Sequence, residues 1–308
     1  MTIWLVLGAI CAAVIIVWPF WIERRRPAIG DTERYGAPGE FARLSQGITH
    51  YRWTGSARGP VAVVIHGLAT PMESMDEVAE GLGSLGYRVL MYDLYGRGLS
   101  DAPKGRQNRK FFLRQLSDLL AYHGLDEEVT LAGYSLGGSI AVAYAAEYPF
   151  GVKRVFLFAP TGVIVNETRF ARFCRRVPLI GDWVHALLVY RRISNAIPER
   201  GQTKAIEKVL RAQRRELTRR GYLPSLLSSR RGFLQETLEE EHRQLGRKGI
   251  PVVAVWAEGD SIIPLAALGK LAEWNRSARQ EIVEHADHGV PYTHGAQLVA
   301  ALRSALQG

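Results

Sequence analysis

Apolar and polar positions follow three regimes along the chain. The first is unbroken: Ile3 to Ile22, IWLVLGAICAAVIIVWPFWI, carries no charge. A run of about 20 apolar residues can cross a bilayer as a helix. Trp4 stands near one end and Trp18 and Trp21 near the other, where amphipathic rings favour the headgroup region. A cleaved signal peptide is the competing reading. No Lys or Arg precedes the run and no clear small-residue cleavage site follows it, so residues 1–22 read as an uncleaved anchor. Arg24, Arg25 and Arg26 come next. Basic residues flanking a span stay on the cytoplasmic side, which predicts a single-pass membrane protein with its main domain in the cytoplasm. Residues 23–40 are polar and rich in Gly and Pro, and read as a linker.

The second regime alternates short apolar strands with amphipathic helices. FARLSQ and ITHYRW form a hairpin pattern, and PVAVVIHG is a buried strand. Helix and strand then follow in turn: ESMDEVAEGLGSLG, YRVLMYDLYG, RKFFLRQLSDLLAYHG, EVTLAGYS, LGGSIAVAYAAEYP, VKRVFLFAP. The third regime, residues 161–248, is helical in character and interrupts this order. Alternation resumes with IPVVAVWAEGD, LAALGKLAEWN, RQEIVEH and GAQLVAALRSAL. The pattern predicts an α/β fold: a mostly parallel central sheet with helices on both faces. Its core comprises residues 41–160 and 249–308. Residues 161–248 form a helical cap, inserted after the strand ending near Pro160, over the sheet edge where such folds bind ligands.

Composition sharpens this reading in one respect. With 308 residues, 47% hydrophobic and 22% charged, the chain has the makings of one large core. Its net charge is +9, and residues 161–248 alone hold nineteen Lys and Arg against nine Asp and Glu. Such an excess suits an anionic partner, nucleic acid or membrane. No nucleic-acid reader motif accompanies it, whereas the anchor favours a membrane. Within the cap, RRVPLIGDWVHALLVYRR sets Leu179, Ile180, Trp183, Val184, Leu187 and Leu188 at helical spacing between arginine pairs. That stripe is either the inner face of a lid or a helix lying at the bilayer interface. Two cysteines far apart, Cys11 and Cys174, predict no disulfide framework. Oligomeric state is open.

The chemistry concentrates in VTLAGYSLGGSIAVAYAAEYP, residues 129–149. A serine between glycines, with a strand before and a helix after, fits a nucleophile elbow, in which Ser135 stands exposed above the sheet. A glycine-rich turn without chemistry would have the same local pattern. A serine hydroxyl needs a base, and the base an orienting acid, in chain order Ser, Asp or Glu, His. Asp260, the last residue of WAEGD and just past a strand, is the acid expected, with Glu258 as the alternative. In EHADHGVPYTHG, His288 lies in the loop proper and is the expected base. His285 reads as the end of a strand, and His294 as the start of the last helix. Two amides suit a developing oxyanion: Leu136, directly after the serine, and Leu68 in HGLAT. His66 reads as a buried, hydrogen-bonded loop residue and Asp93 as a loop anchor. No metal or cofactor is expected.

HGLATP, GYRVLMYDLYGRGLSD, GYSLGG, AEGDSIIP and ADHG together resemble the successive signatures of the α/β-hydrolase superfamily. The resemblance covers residues 41–306, the cap least of all. It implies Ser135 as nucleophile, Asp260 as acid and His288 as base. Ala257 stands where many members have glycine. Members with a nucleophilic aspartate cleave epoxides or haloalkanes, and Ser135 speaks against both. Within the superfamily the layout resembles membrane-anchored monoacylglycerol lipases and carboxylesterases. It implies a serine esterase acting on a small-molecule or lipid ester. The alternatives are a carbon–carbon bond hydrolase of the same fold and a non-catalytic binding protein that kept it.

Overall fold

A computed structural model describes residues 2–125 and 128–307. The anchor region is one helix, α1 (Thr2–Arg25), with Pro19 inside it. A one-turn helix, α2 (Asp31–Arg34), follows. Eight strands then build a single sheet: β1 (Glu40–Leu44), β2 (Gly47–Gly55), β3 (Val61–Ile65), β4 (Arg88–Tyr92), β5 (Val129–Tyr134), β6 (Val152–Phe158), β7 (Val252–Ala257) and β8 (Arg279–Val283). Their order is β1-β2-β4-β3-β5-β6-β7-β8. β2 runs antiparallel to both neighbours, and the remaining pairs are parallel. The helices are α3 (Asp76–Ser84), α4 (Arg109–Tyr122), α5 (Leu136–Glu147), α6 (Arg169–Arg176), α7 (Ile180–Ala196), α8 (Lys204–Leu217), α9 (Tyr222–Arg231), α10 (Glu239–Arg247), α11 (Ala266–Trp274), α12 (Val290–Thr293) and α13 (Gly295–Gln307).

Successive strand residues point to opposite faces, and the core divides accordingly. Val63, Ile65, Leu131, Val155, Leu157 and Trp256 face one apolar layer, which contains residues of α4, α5 and α11. Ala62, Val64, Ala132, Phe156, Phe158 and Val255 face the other, with α3 and α13. Both faces are covered, which is why these strands read as continuous apolar runs rather than alternating ones.

Two boundaries differ from the sequence expectation. Residues 23–40 are docked rather than loose. Arg34 is buried and donates to the Leu99 carbonyl (3.2 Å) and to Asp101 (2.5 Å). The Pro27 carbonyl accepts from the Arg220 amide of the cap at 2.8 Å. At the other boundary, α10 packs against α5, and Phe233, Leu238 and Leu245 join the sheet's own core. The cap layer is therefore α6 to α9, and the residues after Arg231 belong with the sheet rather than with the insert.

Candidate active site

The turn from β5 into α5 is built by close backbone approach. A Cβ on Gly133 would lie 2.3 Å from the Gly137 carbonyl oxygen, and one on Gly137 would lie 2.1 Å from that of Ile65. Only glycine fits either place. Ser135 sits at the turn with φ +51°, in a region that costs a non-glycine residue of order 1–3 kcal/mol. The Ser135 amide donates to the Phe158 carbonyl (3.0 Å), and the Ser135 carbonyl accepts from the Thr161 amide (3.1 Å). The turn is thus clamped from both sides.

His288 meets this serine from 153 positions along the chain, and Asp260 meets His288 from 28 positions away. His288 Nε2 lies 3.1 Å from Ser135 Oγ, and His288 Nδ1 lies 2.7 Å from Asp260 Oδ2. Asp260 Oδ1 accepts from the amides of Ile262 and Ile263, both at 2.8 Å. Both carboxylate oxygens are therefore occupied, and the Asp260 side chain is buried. The Tyr134 hydroxyl donates to the His288 carbonyl at 2.8 Å and holds the loop from below. Tyr134 precedes the serine in sequence, yet nothing in the pattern links it to His288.

The other candidates fall elsewhere. β8 ends at Val283, so His285 is not a strand residue. It occupies a positive-φ turn, φ +58°, with an exposed side chain. Glu258 accepts from the His285 amide at 2.9 Å. His294 closes α12, just before α13, and its Nδ1 lies 2.9 Å from the Thr293 hydroxyl. Leu136 opens α5 and Leu68 follows β3. Among the described residues neither amide has a hydrogen-bond acceptor. Both amides are free to receive charge.

The loop carrying Leu68 is held by groups that the sequence reading missed. Arg97 is buried and spreads its guanidinium over the Leu68 carbonyl (3.0 Å), the Tyr95 carbonyl (2.8 Å), Gln107 (2.7 Å) and Ser229 of α9 (2.8 Å). Burial lowers its pKa to about 10, so it stays charged. The Tyr222 hydroxyl of α9 donates to the Ala69 carbonyl at 3.1 Å. The Leu68 loop and the cap are thereby tied together. His66 accepts from the Leu94 amide through Nε2 (2.9 Å), which leaves Nδ1–H to donate to the Gly67 carbonyl (2.8 Å). Burial pushes its pKa down to about 4, and it is a neutral strut. Asp93 accepts from the Met72 and Leu99 amides and from His50. Burial works against its ionisation, but His50, His66 and the Met72 amide hold its pKa well below the usual range.

A mostly parallel sheet of this order, with a serine at the β5–α5 turn facing a His–Asp pair, defines an α/β-hydrolase of the serine class. Residues 56–291 match the serine aminopeptidase S33 family, and the chain belongs to that family. A lipase from Psychrobacter immobilis is 27% identical over 219 residues, which make up 69% of this chain and 66% of the lipase. The match thus spans just under two thirds of that relative. An enol-lactonase from Burkholderia xenovorans superposes with a TM-score of 0.72 at 20% identity, over 87% of this chain and all of that one. An esterase from Thermogutta terrifontis gives 0.71 at 18% identity, over 88% and 98% of the two chains. At these identities the solved structures speak for the fold.

Proposed function

We propose that this hydrolase cleaves carboxylic esters bearing an acyl chain, through Ser135, His288 and Asp260. The observation that carries the reading is the unbroken hydrogen-bond path from Ser135 Oγ through His288 to Asp260 at a strained turn. Ser135 Oγ attacks the ester carbonyl carbon while its proton passes to His288 Nε2. The carbonyl oxygen takes the negative charge and is received by the amides of Leu68 and Leu136. Collapse breaks the bond to the leaving alcohol, which takes the proton from His288. Water, deprotonated by His288, then attacks the acyl-enzyme; the bond to Ser135 Oγ breaks, Oγ takes the proton back from His288, and the acid leaves. Asp260 holds the imidazole tautomer and balances its charge.

The similarity to a lipase supports an ester substrate. Purified full-length chain in detergent should hydrolyse acyl esters, with turnover depending on chain length, and should react with a fluorophosphonate. Cleavage of a carbon–carbon bond in a vinylogous diketone, with every ester left intact, would favour the alternative hydrolase reading. No reaction with either would favour a binding protein.

α1 is long and apolar enough to cross a membrane, with a mean hydropathy of 2.5. The reading includes α1 as an anchor, with Arg24 to Arg26 and the hydrolase domain on the cytoplasmic side. A C-terminal reporter that is active only outside the cytoplasm would reverse that orientation.

A further inference from the structure

Proline inside a helix has no N–H to give to the carbonyl four residues earlier. In α1 that proline is Pro19, and the carbonyl left over is Ile15. The indole Nε1–H of Trp183, in the first turn of α7, donates to the Ile15 carbonyl at 3.0 Å. Pro19 is the one buried residue among those described in α1. In hydrocarbon, where no water can serve, an unpaired carbonyl costs several kcal/mol. The cap thus fills the gap that the proline opens.

The position of this contact fixes a depth. Ile15 lies seven residues before Ile22, the last residue of the apolar run. At 1.5 Å per residue it lies about 10 Å inside the edge of the run, against a hydrocarbon core about 30 Å thick. The Trp183 indole that bonds Ile15 lies at that depth too. Beside it, Leu179 is 82% exposed and Ile180 is 61% exposed. In water, two such side chains side by side would be an unexplained apolar edge. Two arginines of this region are engaged within the protein. Arg231 pairs with Asp182 at 2.7 Å, and Arg26 donates to the Leu217 carbonyl of α8.

We infer that Trp183 locks the cap onto α1 at the Pro19 gap, and that this lock holds Leu179, Ile180 and Trp183 within the acyl chains of the leaflet that α1 crosses. The inference rests on the reading of α1 as a membrane span. A cavity of about 540 Å³ lies behind this turn, lined by Phe20 and Glu23 of α1 with Pro178, Leu223, Leu227 and Arg231. It sits where α1 passes from apolar run to arginines, at the level of the headgroups. α9 forms one wall. The same helix carries Tyr222 and Leu226, which cluster with Leu68 and Ala69 of the oxyanion loop. The cap is accordingly a wedge set in the bilayer, with α9 standing between this cavity and the Leu68 loop.

Depth-dependent quenching tests this on the full chain in phosphatidylcholine vesicles. A bimane is attached at Ile180→Cys or, as a control on α1, at Ile16→Cys, both with Cys11→Ser; Cys174 is buried and does not react. A nitroxide in mid-acyl chain should quench both positions at least twofold more than a headgroup nitroxide. Acyl-chain quenching at Ile16 without it at Ile180 would leave the anchor standing and overturn the inference. Acyl-chain quenching at neither would overturn the anchor itself. In the first outcome, Trp183→Phe should weaken acyl quenching at Ile180, and Pro19→Ala, which restores the helix's own bond to Ile15, should make the cap less sensitive to that loss. An unchanged signal in Trp183→Phe would assign the depth to the apolar side chains and overturn the lock.

Discussion

Ester turnover is expected to fall by roughly 10⁴ or more in Ser135→Ala, and by a similar factor in His288→Ala, because the groups of a triad act as a unit. The double variant should be scarcely worse than either single one. Fluorophosphonate labelling should vanish in Ser135→Ala. Asp260→Asn should cost about 10⁴ as well, since an amide donor opposite Nδ1 selects the wrong imidazole tautomer. The Ile262 and Ile263 amides that now bond Oδ1 would still hold the Asn oxygen, so the NH₂ would be the group left facing His288. The controls carry as much weight as the losses. His285 is exposed and His294 bonds only a neighbouring hydroxyl; alanine at either should leave turnover within a few-fold. Near-normal turnover in His288→Ala with loss in His294→Ala would refute the assignment of the base.

How much of this site was legible depends on whether the signal was local. Ser135 announces itself, because the glycines that permit its turn are its neighbours in sequence. Asp260 and His288 follow from chain order and from their place in loops at the ends of β7 and β8. The α/β class follows from alternation, since buried strands and amphipathic helices differ in period. What stayed hidden acts through space. Arg97 looks like one basic residue in a glycine turn, and its four acceptors lie between 2 and 132 positions away. Tyr134 supports His288 from across 154 positions. The supposed linker is polar and rich in Gly and Pro, as linkers are, but Arg34 has partners at Leu99 and Asp101 that composition does not reveal. α10 is as densely charged as the cap helices on its exposed side, and only the burial of His242 and Leu245 assigns it to the core. The α7 stripe reads as lid or interface from pattern alone, and its contact with α1 through Trp183 and Ile15 spans 168 positions that no local pattern links.

The buried histidines make a second large effect expected: the fold should lose stability steeply between pH 6.5 and 4. Burial pushes the pKa of each of His66, His185 and His242 from the ordinary 6.5 down to about 4. Each is neutral in the folded chain and takes up a proton on unfolding once the pH is below 6.5. The unfolded state then binds more protons, so stability falls as pH falls. Each group contributes roughly 3 kcal/mol by pH 4, and the three together roughly 4 kcal/mol between pH 7.5 and 5.5. That is a large part of the ~5–15 kcal/mol that holds an ordinary domain. His50 works the other way. Burial would lower its pKa, but its hydrogen bond and charge interaction with Asp93 raise it, so its stabilisation grows as the pH falls from 7.5 through 6.5 and offsets part of the drop in that upper stretch only. Urea unfolding of the detergent-solubilised chain at pH 7.5 and 5.5 measures the drop. His242 separates the histidine effect from general acid sensitivity. Both of its ring nitrogens lack a partner among the described residues, and its ring stacks on Trp274 at 6.2 Å. His242→Phe should keep the stacking, leave stability at pH 7.5 unchanged or higher, and remove about a third of the drop. A free energy that is flat across this range, or a drop that His242→Phe leaves untouched, would mean that these imidazoles are charged in the fold.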